Sequence, residues 1–226
     1  MRQVIIVGGG KSIREEWLNN GLFDNLKGQE VWSLNYAFMT MPYLPTKQLW
    51  VDRYFYEVEG KHIRELHEKG VPLISQRTGI IPFPEMIRKV EKFYNKTTIY
   101  QDQLDIEDAI FTGQFSLGGL FALGVAVKEK VDRIFLLGYD WGNEDVNNKD
   151  THYYDGYIKH HSKGAGHPDL YKHINSNEPI SKVHDFQVYE NYKEAEIYNV
   201  SLKSNIPYLP KISYQEMYKK LEEDND

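Results

Sequence analysis

The chain has 226 residues, enough for one domain with a sizeable core, and its 41% hydrophobic and 27% charged residues are ordinary globular values. A net charge of −6 argues against broad non-specific binding to nucleic acid. The absence of cysteine excludes disulfides, thiolate metal sites, iron–sulfur clusters and cysteine nucleophiles, and fits a reducing compartment.

Aromatic residues reach 14%, with 17 tyrosines, a composition that suits sugar and nucleotide clefts as well as an amphipathic core. Met1-Arg2-Gln3 leads straight into a strand without a signal-peptide pattern. The longest apolar run, 120–127, is too short to span a bilayer, so a cytoplasmic protein with no membrane span is expected. The sequons at Asn95 and Asn199 carry no meaning there.

Residues 3–7 read as a buried strand, followed by Gly8, Gly9, Gly10, Lys11 and Ser12 and a helix over 13–18. Glycines let backbone approach an anion and a helix N-terminus supplies N–H groups, so this is a phosphate-binding arrangement. It is neither of two well-known motifs: Ile5 stands where a P-loop needs its first glycine, and Ile13 where a dinucleotide fingerprint needs a small residue. A second strand over 30–34 ends at Asn35 and a third over 48–51 ends at Asp52. Pro42, Pro45 and Tyr54-Phe55-Tyr56 mark loop-like, aromatic flanks.

A helix over 60–69, a strand over 71–75 and a polar loop containing Arg77 follow. Next come a helix over 84–94 with Pro84 at its start, a strand over 97–100 and an acidic connection over 104–109. The stretch 112–142 is the centre of the chain: a small-residue entry with Ser116, Gly118 and Gly119, a helix over 117–129 apolar nearly all round, and a strand over 133–137 ending in Gly138-Tyr139-Asp140.

From Trp141 the pattern becomes polar and irregular, a lid-like insertion over 141–180 within a single domain of 1–226. It holds Thr151-His152-Tyr153-Tyr154 and further histidines at 160, 161, 167 and 173, with no HExxH and no strong ligand spacing, so no metal site is expected. A helix over 181–194, a strand over 196–200, the loop beginning at Ser201, and a closing helix over 213–221 complete the chain.

Alternation of strands and helices predicts an α/β fold: a Rossmann-like, mostly parallel sheet flanked by helices. Strand exits then share one edge, so Gly8 to Ser12, Asn35, Asp52, Asp140 and Ser201 line one cleft, joined by the loop at Ser116, Gly118 and Gly119. This convergence indicates a nucleotide-type ligand.

These segments resemble the Rossmann-like bacterial sialyltransferases and the related motility-associated-factor glycosyltransferases, most closely the phage and prophage proteins related to them. The similarity lies in Gly8-Gly9-Gly10-Lys11-Ser12, Asn35, residues 116–140, Thr151-His152-Tyr153, Ile197-Tyr198-Asn199 with Ser201, and Pro210-Lys211-Ile212. The resemblance implies transfer of a sugar from a nucleotide-activated donor to a hydroxyl acceptor, the nucleotide sugar being a co-substrate and no cofactor being needed. His152 would be the general base, acting with Asp140. Gly8, Gly9, Gly10, Ser12, Asn35, Asp52, Ser116, Gly118, Gly119 and Ser201 would hold the nucleotide. The chain departs from the family pattern at Gly9, an Asn in the family, and at Gly142, a phosphate-binding Tyr, for which Tyr153, Tyr154 or Tyr157 is the substitute.

Three alternatives are carried alongside. A magnesium-dependent diphosphotransferase of the pterin pyrophosphokinase-like type would use Asp52 and Asp140 as metal ligands. A phage enzyme glycosylating modified DNA bases is a narrower version of the first reading. A non-catalytic nucleotide-binding protein would keep the pocket alone. No stretch specifies a partner surface, and a homo-oligomer is compatible with the sequence.

Overall fold

Among the described residues six short strands, the most apolar of them at the centre, make one parallel sheet. The computed structural model describes residues 1–50, 53–75, 118–140, 152–154, 157–158 and 184–223. Its strands are β1 (Gln3–Val7), β2 (Val31–Leu34), β3 (Lys47–Trp50), β4 (Leu73–Ser75), β5 (Arg133–Leu137) and β6 (Glu196–Asn199). They lie in the order β4-β3-β2-β1-β5-β6, every pair parallel. The α/β, Rossmann-like expectation therefore holds. The chain runs outward from β1 to β4, returns to the centre and runs outward again through β6. The switch point, where open parallel sheets take their ligands, lies between β1 and β5.

The period of two along each strand divides the core into two layers. Ile5, Val7, Val31, Phe135 and Leu137 face α1 (Ile13–Asn19), α2 (Leu22–Asn25), α3 (Arg53–Glu68) and α5 (Tyr214–Glu223). Val4, Ile6, Trp32, Leu49, Ile134 and Leu136 face α4 (Gly118–Lys128) and the segment after β6. From Leu120 to Val127 every residue of α4 is buried, which explains its lack of a polar face. Each large side chain there contributes roughly 1.5–3 kcal/mol of burial.

The helix ends are built locally. A capping box opens α5: Ser213 Oγ accepts from the Glu216 N–H at 3.2 Å, and Glu216 accepts from the Ser213 N–H at 2.7 Å. A Schellman motif closes α4, with Val131 N donating to the Ala126 carbonyl and Lys130 N to that of Val127.

The structure departs from sequence expectation in three places. The helix expected over 60–69 begins at Arg53, and the stretch Tyr54-Phe55-Tyr56 is its first part and not a loop. Phe55 and Tyr56 are buried against Trp50 and Tyr36, and this packing outweighs the weak helix propensity of aromatic residues. The helix expected over 181–194 is a 3-10 helix at His184–Tyr189, where Phe186 and Tyr189, three apart, both enter the core. The segment Asn35–Thr40 after β2 is a 3-10 helix that the sequence did not signal. The expected elements over 84–94 and 97–100 and the acidic stretch 104–109 lie outside the described residues.

Candidate active site at the switch point

Glycine at the end of β1 lets the backbone continue its pairing with β5 beyond the sheet. Gly8 N donates to the Leu137 carbonyl at 2.8 Å and Gly10 N to that of Gly138 at 3.0 Å. Gly138 itself has φ +70°, the left-handed region that favours glycine. A Cβ on Gly10 would stand 2.5 Å from both the Gly138 carbonyl oxygen and an Asp140 carboxylate oxygen. The two exits are thus fitted backbone to backbone.

Asp140 completes that join. One of its oxygens accepts from the Ser12 N–H at 2.8 Å, the other from the Ser12 hydroxyl at 2.5 Å. The sequence suggested that Ser12 and the start of α1 await a phosphate. Here these donors already hold an anion, the carboxylate of Asp140.

The segment carrying His152 docks on the same turn. Tyr153 N donates to the Gly9 carbonyl at 2.9 Å, and a Cβ on Gly9 would meet His152 Cδ2 at 2.5 Å. The half-buried imidazole stacks on Tyr154, with ring centroids 5.1 Å apart and planes 8° from parallel. Tyr154 is buried between this ring and Tyr36, 5.9 Å away, which follows Asn35. Tyr153 is fully buried, and its hydroxyl shares a 2.7 Å hydrogen bond with Thr40. Burial pushes its phenol well above the usual tyrosine range, with the Thr40 bond acting in the opposite direction. Tyr153 serves as an anchor in the core, and Tyr157 lies half-exposed against Trp17 and Arg14.

Asn35 has φ +52°, uncommon for a residue with a side chain, and its Oδ1 is buried with no hydrogen-bond partner among the described residues. Ser201, beyond β6, is buried, and its hydroxyl also lacks a partner among them. Around it, Asn199 Nδ2 and Ser204 Oγ both donate to the Tyr139 carbonyl, and Asn205 N donates to that of Asp140 at 2.7 Å. The β6 exit is thereby joined to the β5 exit.

Gly118 and Gly119 open α4 in the layer opposite His152. Gly119 lies so close to the Tyr139 ring that a Cβ would approach it to 2.8 Å, and the Tyr139 hydroxyl donates to the Gly119 carbonyl at 3.0 Å. The structure therefore brings Gly8, Gly9, Gly10, Ser12, Asp140, His152, Tyr153 and Tyr154 together, with Asn35 and Ser201 on flanking exits. Asp52, Ser116, Arg77 and Gly142 lie outside the described residues. Sequence reasoning missed Tyr36, Thr40 and Gln48, which hold the site from behind, and no local motif marks any of them. No group of three His, Asp or Glu side chains forms a metal site among the described residues, and no helix among them is long and apolar enough to cross a membrane.

No protein-family model matches the chain, and no curated protein matches it in sequence. Solved structures do match. A crystal structure of the sialyltransferase CST-II with trisaccharide acceptor and CMP superposes with a TM-score of 0.55 at 13% identity, covering 94% of this chain and 86% of that one. The sialyltransferase CstII from Campylobacter jejuni with cytidine-5'-monophosphate gives 0.54 at 16% identity, covering 94% and 85%. At such identity the likeness is one of fold, and the chain shares the fold of these sialyltransferase structures.

Proposed function

We propose that this protein is a glycosyltransferase that moves a sugar from a nucleotide-activated donor to a hydroxyl acceptor, with His152 as the general base. The observation that carries this reading is the docking of His152 on Gly9, at the switch point between β1 and β5. A neutral imidazole carries a ring nitrogen that can accept a proton, as a general base for an alcohol requires. In the transfer the acceptor oxygen forms a bond to the anomeric carbon and its proton passes to His152. The bond from that carbon to the donor phosphate oxygen breaks, and its electron pair leaves with the nucleotide.

The structures of similar fold were solved with CMP or a CMP-sugar analogue, which supports a nucleotide at the equivalent edge of this sheet. Asn35 and Ser201, whose buried oxygens on the flanking exits have no partner among the described residues, are the residues we assign to it.

The test is a thermal-shift screen with ATP, CMP, UDP, GDP, ADP and TDP and the sugar conjugates of the last five, with and without magnesium. Nucleotide release is then assayed for wild type and His152→Ala. A ligand of the folded state raises Tm. The proposal expects one nucleotide class to do so without magnesium, and His152→Ala to keep that shift while losing about 10²–10⁴-fold in turnover. Unchanged turnover in His152→Ala removes the base assignment. A shift with ATP and magnesium alone moves the reading to diphosphoryl transfer.

A further inference from the structure

Gln48 is fully buried in the middle of a parallel sheet, where an amide side chain is costly unless every polar atom finds a partner. It finds them in one direction. Its Nε2 donates to the Asn35 carbonyl at 3.0 Å and to the Leu49 carbonyl at 3.0 Å, and its Oε1 accepts from the Ser33 hydroxyl. Ser33 and Gln48 are register partners on β2 and β3, so the pair forms a polar rung one residue below the β2 exit. The residue that this rung grips is Asn35, whose backbone sits in the left-handed region and whose Oδ1 is a buried acceptor without a donor among the described residues. A left-handed residue whose acceptor is unfilled among the described residues, held by a dedicated buried amide, is a feature that core packing alone does not require.

We propose that Gln48, oriented by Ser33, is a positioning residue that locks the Asn35 backbone so that its side-chain amide meets an O–H or N–H donor of the ligand. The inference rests on the nucleotide-site reading above and adds the class of contact: Asn35 Oδ1 accepts from a sugar hydroxyl or a base amine. A bare phosphate oxygen offers no such donor.

The test measures the dissociation constant of the nucleotide giving the largest Tm shift among CMP, UDP, GDP, ADP and TDP. It uses wild type, Gln48→Met, Asn35→Gly and the double variant, with far-ultraviolet circular dichroism to verify folding. Glycine accepts the left-handed backbone and removes the amide. Gln48→Met should weaken binding about tenfold in the wild-type background and by less than about twofold in the Asn35→Gly background. Equal losses in both backgrounds overturn the proposal, because they mean a general structural role. No loss in either background overturns it while leaving the nucleotide reading intact, and a wild type that binds none of the five fails both. Should Gln48→Met not fold, Ser33→Ala carries the same comparison with a smaller expected loss.

Discussion

The carboxylate of Asp140 closes the N-terminus of α1 by accepting from both the backbone N–H and the hydroxyl of Ser12, 128 residues away in sequence. Charge-assisted bonds of this kind are worth more than neutral ones. Asp140→Ala should therefore destabilise the protein by about 2 kcal/mol, with Ser12→Ala costing about 1 kcal/mol. For a chain of this length that is a fall in Tm of roughly 4–8 °C for the first. The two sites share one interaction, so the double variant should lose little more than Asp140→Ala alone in chemical denaturation. Fully additive losses would contradict the shared bond.

Neighbouring glycines of the first turn should respond differently to alanine. At Gly9 the added methyl meets only side-chain atoms, the edge of the His152 ring at 2.5 Å and the Tyr154 hydroxyl at 3.1 Å, which can shift without breaking a backbone bond. Gly9→Ala should stay folded and lose activity, because His152, the base of the proposed transfer, is displaced from its place at the turn. At Gly10 the methyl meets the backbone carbonyl of Gly138, which cannot move without breaking the join between β1 and β5. Gly10→Ala should cost stability outright, about 2–4 kcal/mol, in the range of severe packing or strain defects. Equal Tm values for the two variants would contradict this division.

Much of this was legible in the sequence, for physical reasons that also set the limits. Residues 4–7 and 134–137 are apolar on both faces, so they read as central parallel strands, and Gly8 and Gly138-Tyr139-Asp140 read as their exits, with Asn35 the exit of the strand between 30 and 34. Exits of parallel strands share an edge, which is why the sequence points to the edge where β1 and β5 meet. The sequence could not yield the partner of each exit. That Asp140 would fill the anion position at Ser12, or that Gln48 would grip Asn35, depends on strand order and register, which are non-local. The aromatic residues misled for a related reason. Tyr54-Phe55-Tyr56 looks like a loop by propensity and is helix because Trp50 and Tyr36 receive Phe55 and Tyr56.

Lys130 occupies the left-handed position of the Schellman motif that ends α4, at φ +55°. The same motif ends α3, where the corresponding residue is Gly70 at φ +82° and Val71 N donates to the Leu66 carbonyl. Lysine bears a steric cost there that glycine avoids. Lys130→Gly should stabilise the protein by about 0.5–1 kcal/mol, visible as an increase in the denaturation midpoint without a change in slope. A loss of stability would mean that the Lys130 side chain makes a contact worth more than the strain.

Alkaline titration tests the aromatic core as a whole. Burial raises the phenols of Tyr43, Tyr56, Tyr139, Tyr153, Tyr189, Tyr214 and Tyr218, that of Tyr43 to about 12. In each the neutral form is favoured by the fold, whereas an unfolded tyrosine ionises near its ordinary value of 10.0. The unfolded chain therefore releases protons first, and the stability these residues provide is complete below about pH 10 and falls as pH rises above it. Ultraviolet absorbance of tyrosinate should rise in two stages. The exposed tyrosines come first, and the buried set follows together with the loss of far-ultraviolet circular dichroism. If all tyrosines ionised in one step near pH 10 with the fold intact, the hydroxyls of Tyr139, Tyr153 and Tyr189 would have to reach solvent, and the anchoring of His152 through Tyr153 would fail with them.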